Sequence, residues 1–397
     1  MNNPIAALAA ALALGACATP ELKTQPAAPL AKIDPAAEGW STAALAEVVS
    51  YAQSQATTGF LIIQDRRIVA EYNWPLGADA ETFRTSFVHG TASGGALLED
   101  VASQQKSFIA ILVGVATDKG LLDISKPVSA YAGAGWSKAT PEQEAKITVR
   151  NLLEMNSGLK ENLSYDFESG TKFFYNTPAY AITKKVLEGA SKQSLDDLTR
   201  LWLTEPAGMA DTSWRKRHGA FSDVGNPTGL VTTPRDIAKM GQLVLDGGTA
   251  ANGKRVISKA QLDAMFQRTA TNPAYGRLWW INGGGYSFAA GANAARSEGA
   301  FIPAGPADMV AAMGAQDRKL FVVPSRQLIV VRTGQAATDR DFNQQLWSRL
   351  MKAVPARERR LQPAAKRDSL MACWRSNHET RVRCCIIGFP GGPCIVP

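Results

Sequence analysis

Ser103 and Lys106 stand three residues apart in "VASQQKSF", at the head of a long apolar run. On a helix, positions i and i+3 share a face, which brings the lysine ammonium within reach of the serine hydroxyl. In a desolvated cleft the amine gives up its own proton more readily and can then accept the one on the hydroxyl, making Ser103 a nucleophile and Lys106 its base. A helix N-terminus adds a positive dipole end and free N–H groups beside a developing oxyanion. Four letters arise easily by chance, and the tetrad alone leaves open that Ser103 caps the helix while Lys106 is solvated. Other chemistries have less to work with. His89, His218 and His378 are the only histidines; His218 lies in the basic, loop-like "WRKRHGAF" and His378 in an atypical C-terminal segment. No HExxH, paired-histidine cluster or Gly-rich phosphate loop occurs, and "GFPGGP" is turn composition, so no metal or organic cofactor is expected.

The elements that must position the pair are legible in outline. "STAALAEVVSYAQSQ" reads as a first helix and "GFLIIQDRRIVAEYNW" as two strands around an Asp65-Arg66 turn. Ser103 to Leu122 reads as a helix, with Phe108, Ile111, Leu112 and Val115 on one face and Gly120 at its C-terminal cap. From Val128 to about Met265 the pattern is helices and long loops, and strand signals return only afterwards, in "YGRLWWING", "DMVAAMGAQ", "KLFVVPS" and "QLIVVRTG". "DRDFNQQLWSRLMKAV" closes as an amphipathic helix. This order predicts an α/β (α+β) fold: one antiparallel sheet built from both chain ends and flanked by helices, with an inserted, mostly helical lobe at about 128–265 and a site in the cleft between the lobes.

Composition bounds the rest. With 397 residues, 45% hydrophobic and 20% charged, the chain can bury a large core. Of the formal charge of +8, eight Lys/Arg against three Asp/Glu in residues 354–397 account for +5. The body, at +3, has no basic stripe interleaved with aromatics, and nucleic-acid binding is not expected. "MNNPIAALAAALALGACATP" resembles a bacterial lipoprotein signal ending in the lipobox Leu14-Gly15-Ala16-Cys17, too short to span a bilayer, although it lacks Lys or Arg before the apolar stretch. The expected organisation is a signal over 1–17 with lipidation at Cys17, a Pro-rich tether over 18–39, a hydrolase domain over 40–355 and a disordered tail over 356–397. A secretory signal and a small disulfide-linked appendage are the respective alternatives. The protein is then periplasmic or a periplasm-facing lipoprotein, touching the membrane only through its lipid. The other cysteines, Cys373, Cys384, Cys385 and Cys394, all lie in that tail, so no disulfide framework or zinc site supports the body.

The surroundings of the tetrad add weight. "EDVASQQKSFIAILVGVATDKGLLDISKPVSAY" resembles the nucleophile region of the β-lactamase-related serine hydrolases, a superfamily of class C β-lactamases, D-Ala-D-Ala carboxypeptidases, β-lactamase-like esterases and nylon-oligomer hydrolases. "ITVRNLLEMNSGL", "GTKFFYNTPAYAI", "GLVTTPRDIAKMGQLVLDGG", "YGRLWWING" and "KLFVVPSRQLIVVRTG" follow in family order, over about 40–352. The resemblance implies an acyl-enzyme at Ser103, with Lys106 as base. It implies a Tyr-x-Asn element matching Tyr175-Asn176-Thr177, with Tyr175 as the partner acid/base; Tyr165 is the runner-up, and Thr177, a candidate substrate contact, stands where an Asn is usual. It also implies a Lys-Thr-Gly strand lining the cleft, which this chain lacks. Met313-Gly314-Ala315-Gln316 occupies that place, with Gly314 and Gln316 as substrate contacts and the N–H of Ala315, with that of Ser103, as the oxyanion hole. Trp279 and Trp280 are candidates for an apolar wall, and Arg318 or Lys319 for a substitute cation. The expected activity is hydrolysis of a small ester or amide. The alternatives are a β-lactamase or D-Ala-D-Ala carboxypeptidase and, of another class, a non-catalytic penicillin-binding-like protein that binds peptidoglycan fragments or a partner.

Overall fold

A two-residue turn starts the architecture. Asp65 and Arg66 both take left-handed backbone, φ 49° and 62°, the geometry that matches the twist of a hairpin. They join β1 (Thr57–Gln64) to β2 (Arg67–Asn73). The computed structural model describes residues 30–356, except 220, 221, 223, 292 and 293, together with the strands Met371–Trp374 and Arg383–Ile386. Four short strands, β3 (Val88–Thr91), β4 (Leu97–Asp100), β5 (Ser213–Lys216) and β6 (Thr228–Thr232), pair in the order β3-β4-β6-β5. Then come β7 (Trp280–Ile281), a small hairpin of β8 (Tyr286–Phe288) and β9 (Arg296–Glu298), and β10 (Val310–Gly314), β11 (Arg318–Val323) and β12 (Leu328–Gly334). The main sheet runs β2-β1-β12-β11-β10-β7, antiparallel at every pair. It is therefore assembled from both ends of the domain, as the order of strand signals predicts.

The strands of this sheet read as continuous apolar runs because helices cover both faces. Phe321 of β11 meets Trp347 of the closing helix Phe342–Ala353 edge-on. Its neighbour Leu320, pointing the other way, lies against Gly241 of the helix Pro234–Leu245, where an added Cβ would stand 2.9 Å from the Leu320 methyl. The first helix, Thr42–Ser54, is capped by Ser41 and packs beside the closing helix. The buried nucleophile helix Gln105–Asp118 lies between this layer and the helices of the inserted lobe, among them Thr177–Ser191 and Val149–Leu153.

Two expectations need correction. The lobe at 128–265 is not free of strands: "SWRK" and "TGLVT" form β5 and β6. At four and five residues they are too short to show a period, and β6 pairs with β4 across more than a hundred residues. The C-terminal segment was expected to hold no regular element, yet two strands, β13 (Met371–Trp374) and β14 (Arg383–Ile386), pair antiparallel within a separate unit, Pro355–Pro397. The signal, Cys17, most of the tether and the rest of the tail lie outside the described residues. Among the described residues no helix is long and apolar enough to cross a membrane.

Candidate active site

Ser103 occupies a tight corner between β4 and its helix. Ala102, just before it, has φ 49°, a left-handed conformation that costs a residue with a Cβ about 1–3 kcal/mol and persists only where its surroundings impose it. They do. Asp100 Oδ1 accepts the Ala102 N–H at 2.8 Å, and the Val101 N–H donates to Leu230 O on β6 at 3.0 Å. On the other side β10 ends on Gly314, where a Cβ would stand 2.3 Å from Val101 O and 3.1 Å from Gln104 N. Ser103 thus lies in a short 3-10 turn, Ala102–Gln104, ahead of the helix Gln105–Asp118. The N-cap position falls on Gln104, whose side chain makes no capping bond. The serine hydroxyl is not spent on the helix end.

It meets Lys106 instead. Lys106 Nζ and Ser103 Oγ are hydrogen-bonded at 2.8 Å, and Nζ donates to Thr177 Oγ1 at 3.2 Å. The Nζ also lies 4.6 Å from the Tyr180 ring centroid and 4.9 Å from that of Tyr175. Lys106 is 2% exposed. Burial, and then the positive charges of Arg217 and Lys184, hold its pKa well below the usual lysine value. A neutral amine at that distance can take the hydroxyl proton as the oxygen attacks a carbonyl.

Tyr175 reaches the same hydroxyl from the opposite lobe. Burial pushes its phenol up to about 12, and the hydrogen bond to Ser103 pulls the other way. It therefore stands as a proton donor at neutral pH, suited to protonating a leaving group, while Lys106 is the better base. Its ring stacks on Trp280 at 5.9 Å and meets Tyr275 edge-on at 6.2 Å. The next residue fixes the loop: Asn176 caps the helix Thr177–Ser191, accepting the Ala179 N–H at 3.0 Å and donating to Leu159 O at 2.7 Å and Lys160 O at 3.0 Å. Tyr165, the runner-up, is 36% exposed, in the turn that bridges back to Leu159.

The cleft has a volume of about 520 Å³, and Ser103, Lys106, Thr177 and Ala315 all line it. Thr177, expected as a substrate contact, gives Lys106 a hydroxyl acceptor as well as lining the cleft. Ala315 is exposed on the turn after β10, and that turn is held by Arg318 Nη1 donating to Ala315 O at 2.9 Å. Other predicted contacts are not at the cleft. Gln316 turns away, its Oε1 accepting the Ala336 N–H at 2.8 Å. Gly314 serves the close approach of β10 to the serine corner. Of the two tryptophans, Trp280 backs Tyr175, while Trp279 is fully buried against Phe266. Neither candidate cation faces the cleft: Arg318 is buried over the Phe87 ring at 4.1 Å with Glu99 3.6 Å away, and Lys319 pairs with Asp317 at 3.1 Å.

The cation that does line the cleft was not foreseen. Arg217, in the "WRKR" segment read as a loop, forms a two-bond pair with Asp100, Nε–Oδ2 2.7 Å and Nη2–Oδ1 3.1 Å, and Nη1 donates to Asn226 O at 3.2 Å. A buried polar chain continues from it: Asn226 Nδ2 donates to Gln105 Oε1 at 3.3 Å, as does the Tyr180 hydroxyl at 3.1 Å. Lys184 Nζ donates to Asn226 Oδ1 at 2.7 Å. Burial lowers Lys184 to about 7. The signals for these residues were β5 and β6, the two strands hidden in the lobe. Among the described residues no group of His, Cys, Asp and Glu could hold a metal ion.

Comparison with known proteins gives a consistent pattern. A family model described as Beta-lactamase matches residues 51–344. An uncharacterized protein of Alkalihalophilus pseudofirmus is 24% identical over 302 residues, 68% of this chain and 81% of its own length. Among solved structures, a class C beta-lactamase superimposes with TM-score 0.58 at 15% identity, covering 80% of this chain and 98% of its own. EstCE1, a hydrolase with promiscuous acyltransferase activity, gives 0.55 at 14% identity, covering 78% and 99%. At such identities these structures establish the shared fold.

Proposed function

The chain belongs to the Beta-lactamase family, and from that premise we propose that it is a serine hydrolase that cleaves a carboxylic ester or small amide through an acyl-Ser103 intermediate. The observation that carries the reading is the 2.8 Å contact between Ser103 Oγ and a buried Lys106 with a depressed pKa. Lys106 takes the hydroxyl proton, Ser103 Oγ attacks the carbonyl, and the backbone N–H groups of Ser103 and Ala315 receive the oxyanion. Tyr175 then protonates the departing alcohol or amine, and reversal of these proton movements with water releases the acid. A pure binding module needs none of these three side chains together.

Substrate class follows from the charges lining the cleft. A bound carboxylate in a partly desolvated site needs a paired cation, and a hydrogen bond to a charged group is worth about 1.5–3 kcal/mol. The Lys-Thr-Gly lysine is missing, Arg318 and Lys319 point elsewhere, and Arg217 already carries Asp100. An anionic β-lactam lacks its anchor, whereas a short-chain ester does not require one. The β-lactamase reading keeps one supporting observation, the guanidinium of Arg217 in the cleft wall. Side-by-side kcat/KM values for p-nitrophenyl butyrate and benzylpenicillin separate the two. The ester should be the better substrate, and a penicillin or cephalosporin turned over more efficiently would reverse the assignment.

The N-terminal segment supports a periplasm-facing protein anchored through Cys17 in a bacterial host. Cys17→Ser should move the protein from the membrane to the soluble fraction; unchanged fractionation removes the anchor.

A further inference from the structure

Three charged side chains line the cleft among the described residues: Lys106, Arg217 and Glu161. Lys106 is held toward its neutral form, and the charge of Arg217 is matched by the two oxygens of Asp100. Glu161 is exposed, and no hydrogen bond or ion pair joins it to another described residue. Its neighbour Lys160 does not answer it, since Lys160 Nζ is turned to Asp166 at 3.7 Å. Lys172, which borders the hollow on the other side of Glu161, lies over the Phe167 ring at 5.6 Å. Among the described charged side chains that line the cleft itself, Glu161 is the one whose charge has no partner.

Glu161 is also held in place by the catalytic loop. Asn176, between Tyr175 and Thr177, donates both hydrogens of its amide to the carbonyls of Leu159 and Lys160, the two residues immediately before Glu161. The same side chain caps the helix that carries Thr177. The backbone leading into Glu161 is therefore tied to the loop that carries Tyr175 and Thr177, while its carboxylate stays exposed at the cleft.

We propose that Glu161 makes this cleft selective for ester or amide substrates that carry an ammonium group. The inference rests on the hydrolase reading above and adds the charge of the substrate to it. An ammonium group near Glu161 gains an ion pair at the edge of a partly desolvated site, and an anionic substrate meets repulsion there.

The test uses matched pairs with the full chain at low ionic strength. Acetylcholine is compared with its neutral isostere 3,3-dimethylbutyl acetate, placing the cation in the leaving group. The p-nitrophenyl ester of 4-(trimethylammonio)butyrate, whose nitrogen cannot attack its own ester, is compared with p-nitrophenyl 5,5-dimethylhexanoate, placing the cation in the acyl group. At least one cationic member should exceed its neutral partner in kcat/KM by about three- to tenfold, the scale of a partly exposed ion pair. The excess should lie in KM, and the cationic-to-neutral ratio measured within each protein should fall to about one in Glu161→Gln and shrink in 0.5 M NaCl. A ratio near one for both pairs in the wild type, or a preference that survives in Glu161→Gln, overturns the proposal while leaving the hydrolase reading intact. Absence of any hydrolysis of the neutral esters overturns the hydrolase reading, and the selectivity falls with it.

Discussion

Replacing Asp100 with Asn tests how the serine corner is held. The carboxylate is buried, and its side chain and that of Arg217 are 1% and 6% exposed. It does two jobs: it accepts the Ala102 N–H at 2.8 Å, holding the left-handed residue before the nucleophile, and it balances the guanidinium through two bonds. Asn can keep the first contact but supplies no charge for the second. Removing one partner of a buried pair costs about 3–5 kcal/mol, because the other charge is left desolvated and alone. For a domain of this size a loss of 1 kcal/mol lowers Tm by about 2 °C, so Asp100→Asn should melt about 6–10 °C below wild type. The double variant Asp100→Asn/Arg217→Met removes the stranded charge and should recover much of that loss. Thermal melts followed by circular dichroism, with urea titrations for the free energies, give both numbers. An Asp100→Asn protein within 1–2 °C of wild type, or a double variant no more stable than the single one, would refute the reasoning.

Three further outcomes follow from the same geometry. Lys106→Ala and Tyr175→Phe should each lower kcat on a p-nitrophenyl ester by about 10²-fold or more, the scale of general acid–base help; near-wild-type turnover in either removes that residue from the chemistry. Lys184→Met deletes a positive neighbour that depresses Lys106, so the Lys106 pKa rises and the acid limb of kcat/KM against pH should move to higher pH; a limb that stays put or moves lower contradicts this. The Lys184 pKa in the folded state, about 7, lies below its unfolded value of about 10.4. The unfolded chain therefore binds more protons between these values, and unfolding free energy should rise with pH across that window in wild type more than in Lys184→Met; identical slopes would show Lys184 to be unperturbed.

The sequence is most legible where local chemistry and long-range packing agree. The β1–β2 turn, the serine helix and the closing helix each carry a local signal and form near where expected, although the serine helix, expected over Ser103–Leu122, runs Gln105–Asp118 behind a 3-10 turn. Ser103, Lys106, Tyr175 and Thr177 could be placed because they stand in short motifs whose order along the chain resembles a family; the structure brings Ser103, Lys106 and Thr177 to one cleft, with the Tyr175 ring 4.9 Å from Lys106 Nζ. What stayed hidden depends on pairing between distant segments. β5 and β6 are too short to announce themselves, so Arg217 and Asn226, which adjoin them, could not be placed at the site, and Glu161 stands in a loop with no motif to mark it. Only the pairing of β4 with β6 puts Asp100 beside Arg217. Gln316 failed for a related reason. Its position after Gly314 fits the motif register, but a φ of 61° at the turn aims the side chain back toward Ala336.

The central claim is that Ser103 is the nucleophile, activated by Lys106. Intact mass spectrometry after exposure to a fluorophosphonate, with the modified peptide sequenced, tests it most directly. The wild type should gain one adduct, on Ser103, at a rate that falls with pH as Lys106 takes up its proton, and Ser103→Ala should gain none. An adduct on another residue, or equal labelling of Ser103→Ala, would contradict the account.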